Sequence, residues 1–418
     1  MRILFYEVRK IIVSPIVLGL TFLFLCFNFY LIYENSYIKD DIRSLNQIAQ
    51  TYGTEINDEM LSKMQSDYEA SLKKVNAITS NAVSKTYKNM DAFYSDRSIY
   101  IPEKFSEKEI QIFNKTALLE YYYSNSLIID ESFLARDPVK KAEYELKVYG
   151  ISGEAAELIR SKYNNFTERF NEVKDNREYK YLFPAQSVWE THLLLFKNMF
   201  KALLIESLFL TILVTAYVMN FEFERGTYLL AYSSKRGRKL WLNKFFAALI
   251  TNVSILSILL AISLAVYFSV FSYREFWLVP ISSSFNAGKE WFMSWWNLSF
   301  IEYLAVAVVL SYLLIILFTL ITVVLARWIR NSYLVFFTFL CLFGAIFINQ
   351  GMFENSSMLF LLGSFTPVHL ILNSFVWFMQ RTITFTAYYE IITILAWYVI
   401  LLLAVFYSAK SFQKCDLK

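Results

Sequence analysis

Two histidines and three cysteines are all the soft metal-ligating chemistry in 418 residues. His192 and His369 stand far apart, with no cysteine or carboxylate beside them at metal-ligand spacing, and they read as interfacial or loop histidines. Cys26, Cys341 and Cys415 fall in or beside apolar runs and none lies in the long polar segment, which excludes a disulfide framework. No G-x-x-x-x-G-K-S/T occurs, so the chain does not cradle ATP phosphates itself. Neither an HExxH helix nor a serine nucleophile elbow is present. No acid–base or metal constellation remains on which to base a lipid-modifying enzyme.

Apolar length is what the chain has in excess. Hydrophobic residues make up 56% and aromatics 18%, too much for an ordinary soluble protein. Six runs, at 12–33, 200–221, 245–271, 300–325, 332–350 and 387–408, account for it. Each is about 20 residues or more, enough to cross a ~30 Å hydrocarbon core as a helix. The expected fold is an all-α polytopic membrane protein with six transmembrane helices. The first run is longer than the apolar region of a signal peptide and has no clear cleavage site, so it reads as a retained span.

Lysine and arginine set the orientation. They occupy the N-terminus (Arg2, Arg9, Lys10), the 222–244 connector, the 326–331 loop (Arg327, Arg330) and the 409–418 tail (Lys410, Lys414, Lys418). These fall on one side only if both termini are cytoplasmic, which leaves 34–196 outside a plasma membrane. That segment holds 26 Asp/Glu against 21 Lys/Arg, so a net charge of +4 conceals a basic inner face and an acidic outer domain. The basic excess holds the topology and contacts membrane lipid; nucleic acid is not an expected partner.

Residues 1–11 read as an interfacial helix on the inner leaflet, ahead of Ser14–Pro15. Helical apolar spacing recurs in the outer domain over 57–76 and 153–174, with further helices expected over 106–124 and 138–149, punctuated by Gly150 and Gly153. The stripes suit either a core of the domain's own or a second copy. Residues 272–299 carry Trp277, Trp291, Trp295 and Trp296, the composition of an aromatic belt at headgroup level. Residues 351–386, through Thr366, Pro367, His369 and Arg381, suit short helices that dip into the membrane without crossing.

Glu206 stands about one turn inside the second run, near Lys197 and Lys201; Glu302 and Glu390 open the fourth and sixth. At headgroup depth a carboxylate near a helix N-terminus is stabilised by the dipole. A functional reading has Glu206 lining a substrate path. No span centre carries an unpaired charge, which argues against an ion- or proton-driven transporter.

The densest chemistry is in Asn220–Phe246, where Lys235, Arg236, Arg238 and Lys239 crowd between two apolar runs behind Glu222 and Glu224. This is the pattern of a connector gripped by another protein. In order it runs Glu224-Arg225-Gly226-Thr227, Leu229-Leu230, Ser233, Gly237-Arg238 and Lys244. Here the chain resembles the permease subunits of ABC-2-type ATP-binding-cassette exporters, in the bacterial subgroup with a large extracellular insertion between the first two spans. It departs from them in having Ser234–Lys235 where the family often has proline. The Glu7…Lys10…Ser14-Pro15 start and the six-span layout carry the resemblance along nearly the whole chain.

That resemblance implies a non-catalytic membrane subunit without a cofactor of its own. Two cytosolic ATPase subunits bind ATP and Mg, and a second permease chain, identical or a paralogue, pairs with this one. It implies that Glu222, Glu224, Arg225, Gly226, Thr227, Ser233, Lys235, Arg238 and Lys244 couple to the ATPase. Arg238 and Lys235 would contact it, Glu224 would hold the connector, and Gly226 would turn where a side chain could not fit. The first, second and fifth spans of both copies would line a path for an amphipathic cargo (a peptide, antimicrobial or lipid-like compound), with Glu206 a candidate on it. Sodium efflux of the ABC type is another function in the subgroup. The reading from a different class is a sensor or immunity protein that binds a peptide antibiotic without transport.

Overall fold

The computed structural model describes residues 2–96, 104–184, 193–233, 237–286, 293–349, 358–380 and 386–414. The expectations placed on His192, Ser234, Lys235, Arg236, Trp291, residues 351–357, Arg381 and Cys415 lie outside them. Helix α1 (Arg2–Ile12) stops before Ser14, whose extended backbone and the Pro15 behind it start α2 (Pro15–Glu34) in a new direction. Buried Ile11 and half-buried Leu4 and Val8 hold α1 to the core, leaving Phe5 and Tyr6 exposed.

Among the described residues, the segment after α2 carries seven α-helices: α3 (Lys39–Tyr52), α4 (Asp58–Val83), α5 (Met90–Ser95), α6 (Glu107–Leu127), α7 (Ile129–Leu134), α8 (Pro138–Val148) and α9 (Gly153–Asp175). Their starts are local chemistry. Asn57 accepts from the Met60 amide at 2.9 Å, Ser106 and Glu109 form a reciprocal capping box, and Asp137 accepts from Val139 and Lys140 ahead of Pro138. Gly150 follows the end of α8 at a φ of +62°, open to glycine without strain. The apolar stripes turn inward: Met64, Val75, Ile159, Tyr163, Phe166 and Val173 are all buried within the one chain. A second copy is not needed to cover them.

This domain is fastened to the loops between the later helices. Ile56 and Leu182 donate to Lys180 and Thr54 across a short antiparallel contact, and the Ser284 amide donates to Tyr179 O. Arg169 grips Glu178 with two hydrogen bonds of 2.9 and 2.5 Å and donates a third to Ser294 O at 3.1 Å. Trp295 meets Phe166 edge-on, Trp277 packs on Phe268 and Phe300, and Trp296 on Phe378. The described tryptophans thus turn toward protein, where the sequence pattern pointed to a lipid belt.

The remaining helices are α10 (Phe200–Glu224), α11 (Tyr228–Ser233), α12 (Gly237–Val270), α13 (Phe300–Trp328), α14 (Ser332–Asn349), α15 (Met358–Gly363), α16 (Pro367–Leu372) and α17 (Tyr389–Lys414). Among the described residues, α2, α10 with the turn before it, α12, α13 and α17 are long and apolar enough to cross a membrane. Helix α14 is apolar and shorter over Ser332–Ile346. Helix α10 sits at the centre, packed by α2, α12, α13 and α14. It continues a wider helical turn at Leu193–Met199, so this helix begins seven residues before the expected 200. Beside α17, Trp397 donates to Phe365 O at 3.0 Å and Tyr389 to Ser364 O at 2.5 Å, which seats α15 and α16 against its first two turns.

The Arg169–Glu178 pair is enclosed, and a buried ion left without its partner costs about 3–5 kcal/mol. Arg169→Met is expected to lower the thermal unfolding midpoint of the detergent-solubilised chain, and Arg169→Met with Glu178→Met to recover much of the loss. Additive single effects would show that the two side chains are not coupled.

Candidate coupling site

The charged connector is built on the end of α10. The Thr227 amide donates to Glu222 O at 2.9 Å and the Gly226 amide to Phe223 O at 3.2 Å, the paired bonds of a Schellman turn. Gly226 takes a φ of +69°, and an added Cβ there would meet nothing within 4 Å. The glycine is thus required for its left-handed backbone, and lack of room, the expected reason, does not apply. The turn redirects the chain into the six residues of α11, after which α12 starts at Gly237.

Gly237 is the position where space decides. A Cβ on it would stand 2.3 Å from Ala231 O and 2.6 Å from the Cα of Tyr232. Only hydrogen on that carbon lets the backbone of α11 lie directly on the first turn of α12. Helix α12 begins well before the expected 245, so Arg238, Lys239 and Lys244 belong to a continuous helix and not to a flexible loop.

Two of the predicted coupling residues turn inward. Lys244 is fully buried; it donates to Val218 O at 2.6 Å and forms a short ion pair with Glu222. The Tyr232 hydroxyl donates to the same Glu222 oxygen at 3.2 Å. Burial, and then the nearby charge of Glu7, push the Tyr232 phenol well above its ordinary range, so it remains a donor. Glu7 of α1 pairs with Lys10 at 2.6 Å, and the Lys10 ammonium lies 3.9 Å from the centre of the Phe221 ring. Helix α1 is therefore tied into the same cluster.

Others hold the connector from its side. Glu224 accepts from the Ser332 amide at 2.6 Å, Asn220 donates to Ile329 O at 3.0 Å, and Arg330 lies over the Phe223 ring. Tyr232 and Trp241 pack on Phe412 near the end of α17, where Arg327 also stacks and donates to Ser411. Exposed among the described connector residues are Glu224, Arg225, Gly226, Thr227, Leu229, Leu230, Ser233 and Lys239, with Leu230 81% exposed. Lys235 lies outside the described residues, as does the side chain of Arg238.

Residue reading missed Tyr232, the brace from α1, and Phe412. The last had a signal: Val405, Ala409 and Phe412 recur at helical spacing and pack on one cluster, carrying the apolar pattern past residue 408. Glu206 is not grouped with the connector. It lies thirteen residues past Leu193, buried, accepting from the Asn28 amide of α2 at 2.9 Å. The earlier start of this helix removes Glu206 from the helix N-terminus where headgroup depth placed it. Glu302 does sit at such a terminus, in a capping box with Ser299, whereas Glu390 is buried and accepts from the Phe378 amide at 2.8 Å.

A family profile described as ABC-2 family transporter protein matches residues 1–417. The chain belongs to that family. No curated protein and no solved structure matches it. As an ABC-2 family member it is a multi-pass membrane protein, the permease component of an ABC transporter, and it works with an ABC ATPase.

The two glycines are expected to respond differently. Gly226→Ala forces a Cβ into the left-handed region at about 1–2 kcal/mol. Gly237→Ala must part α11 from α12, at about 1–3 kcal/mol for an overpacked contact, and should expose the connector to limited proteolysis. A proteolysis pattern unchanged by Gly237→Ala would refute the backbone contact.

Proposed function

We propose that the chain is one half of an exporter whose connector receives the stroke of a cytosolic ATPase. It crosses the membrane six times, with both termini and residues 222–244 inside and the 34–196 domain outside. The observation that carries this reading is the composition of α11. Leu229 and Leu230 stand exposed on a short helix that is braced from behind by Tyr232, Glu222, Lys244 and Gly237. An exposed apolar pair on a rigid mount, beside exposed Arg225 and Ser233, has the anatomy of an interface core within a polar rim. The ATPase groove takes the leucines, and the basic residues make charge-assisted contacts around them. ATP and Mg are held on that partner.

Two permease chains pair, each with its own ATPase subunit. Support comes from the outward faces of α2 and α14, where Phe22, Phe27, Tyr30, Tyr333 and Phe337 are exposed although α10 between them is enclosed. These faces of the first and fifth spans form the walls of the path, and α10 backs them, with Glu206 held behind by Asn28. An aromatic path of this kind suits an amphipathic cargo moving outward.

Leu230→Asp puts a charge at the centre of the contact. It is expected to lower ATP hydrolysis stimulated by the purified complex about 30-fold, as for loss of a ~2 kcal/mol anchor. Stimulation unchanged by Leu230→Asp, in a complex of normal size, would sink the docking reading. Pairing has a native reporter in Cys26 and Cys341, both exposed on the proposed faces. A short thiol cross-linker applied to membranes should give a covalent dimer through them; a product confined to monomer would count against pairing along α2 and α14.

A further inference from the structure

Between α3, α4 and α6 of the large polar domain lie two adjoining cavities, of about 320 and about 430 Å³, which share Ser44, Gln47 and Lys115. The charged side chains lining the first are Lys74 and Lys115, with no acid among its walls, although the domain as a whole has 26 acidic against 21 basic residues. Ser44 and Ser71 line the same cleft, and Ile48, Ile112 and Leu119 supply an apolar part of the wall. Asp40, Asp41 and Arg43 line the second cavity, where Arg43 is occupied by Asp40 at 3.2 Å. Tyr52 donates to Asp67 at 2.6 Å, tying α3 to α4 at the cavity wall. Burial, and then the Asp67 carboxylate, push that phenol well above its ordinary range, so it stays neutral beside the lysines.

Lys74 and Lys115, both exposed, place two cations on one open cleft. Among the described residues neither lysine makes an ion pair, and both reach from the walls of one space. We infer that this cleft binds an oxyanion carried on a short apolar body, with Lys74 and Lys115 on the oxyanion and the isoleucine–leucine wall on the hydrocarbon. The carboxylate end of a peptide and the phosphate head of a lipid share that chemistry. Charge-assisted bonds from two lysines fix the head, and hydroxyl donors complete its coordination. The space suits a small ligand or one end of a larger one. Helix α3, which carries Ser44 and Gln47, starts five residues after α2 ends. The site relies on the export reading only for what the captured ligand is for.

The test uses the full chain in phosphatidylcholine nanodiscs without the ATPase, so its failure leaves the coupling reading untouched. Isothermal titration compares N-acetyl-phenylalanyl-leucine as free acid, the same dipeptide as its C-terminal amide, decyl phosphate and decanol. At least one anionic probe is expected to bind ten-fold or more tightly than its neutral counterpart. Lys74→Gln with Lys115→Gln should remove that ten-fold, while Lys73→Gln, next door on α4, should leave it in place. Preference for the free acid assigns a peptide terminus, and preference for decyl phosphate a lipid head. Equal affinity for charged and neutral probes, retention of binding in the double variant, or no binding by folded protein would each overturn the inference.

Discussion

Everything on the basic side of this protein depends on finding a place for one buried ammonium. Lys244 has no exposure at all, and an isolated cation so placed costs several kcal/mol against water. Glu222 and the Val218 carbonyl compensate it, and both belong to α10. The pair therefore fixes the register of α12 against α10. With that register set, Tyr232 can reach Glu222, Gly237 lies under α11, and Phe412 closes over the top. The connector that the sequence presents as a basic stretch between two apolar runs has, in its described residues, a hydrogen-bonded back and an apolar front.

Much of the architecture was legible because membrane helices and amphipathic helices announce themselves by period and length. The expected ranges 57–76, 106–124, 138–149 and 153–174 fall within or beside α4, α6, α8 and α9. The capping residues Asn57, Ser106 and Asp137 were in plain view. What periodicity cannot convey is which of two chemically similar residues turns in. Glu222 and Glu224 are separated by one residue, yet one neutralises a buried lysine and the other caps α14. Leu229 and Leu230 stand out in the sequence only as part of an ordered motif, and in the fold they are exposed beside Arg225.

The same limit explains the tryptophans and Glu206. An aromatic-rich loop between two spans has the composition of a lipid belt, but composition does not register that Phe166 and Phe378 come from distant segments to cover it. Glu206 lies deeper than its sequence position suggests because Lys197 falls within the first turns of a helix that starts at Leu193. With its ammonium over the Phe375 ring, Lys197 does not end that helix.

Helix α12 runs 34 residues, about 50 Å at 1.5 Å per residue. Past Gly237 it has neither proline nor glycine, the residues at which helices bend. One end is pressed onto the connector by backbone contact; just past the other, Asn46 of α3 donates to Ser272 O and accepts from the Glu275 amide. The chain thus contains a strut without a joint. One continuous helix therefore joins the connector to the neighbourhood of α3, the helix that forms a wall of the polar cleft.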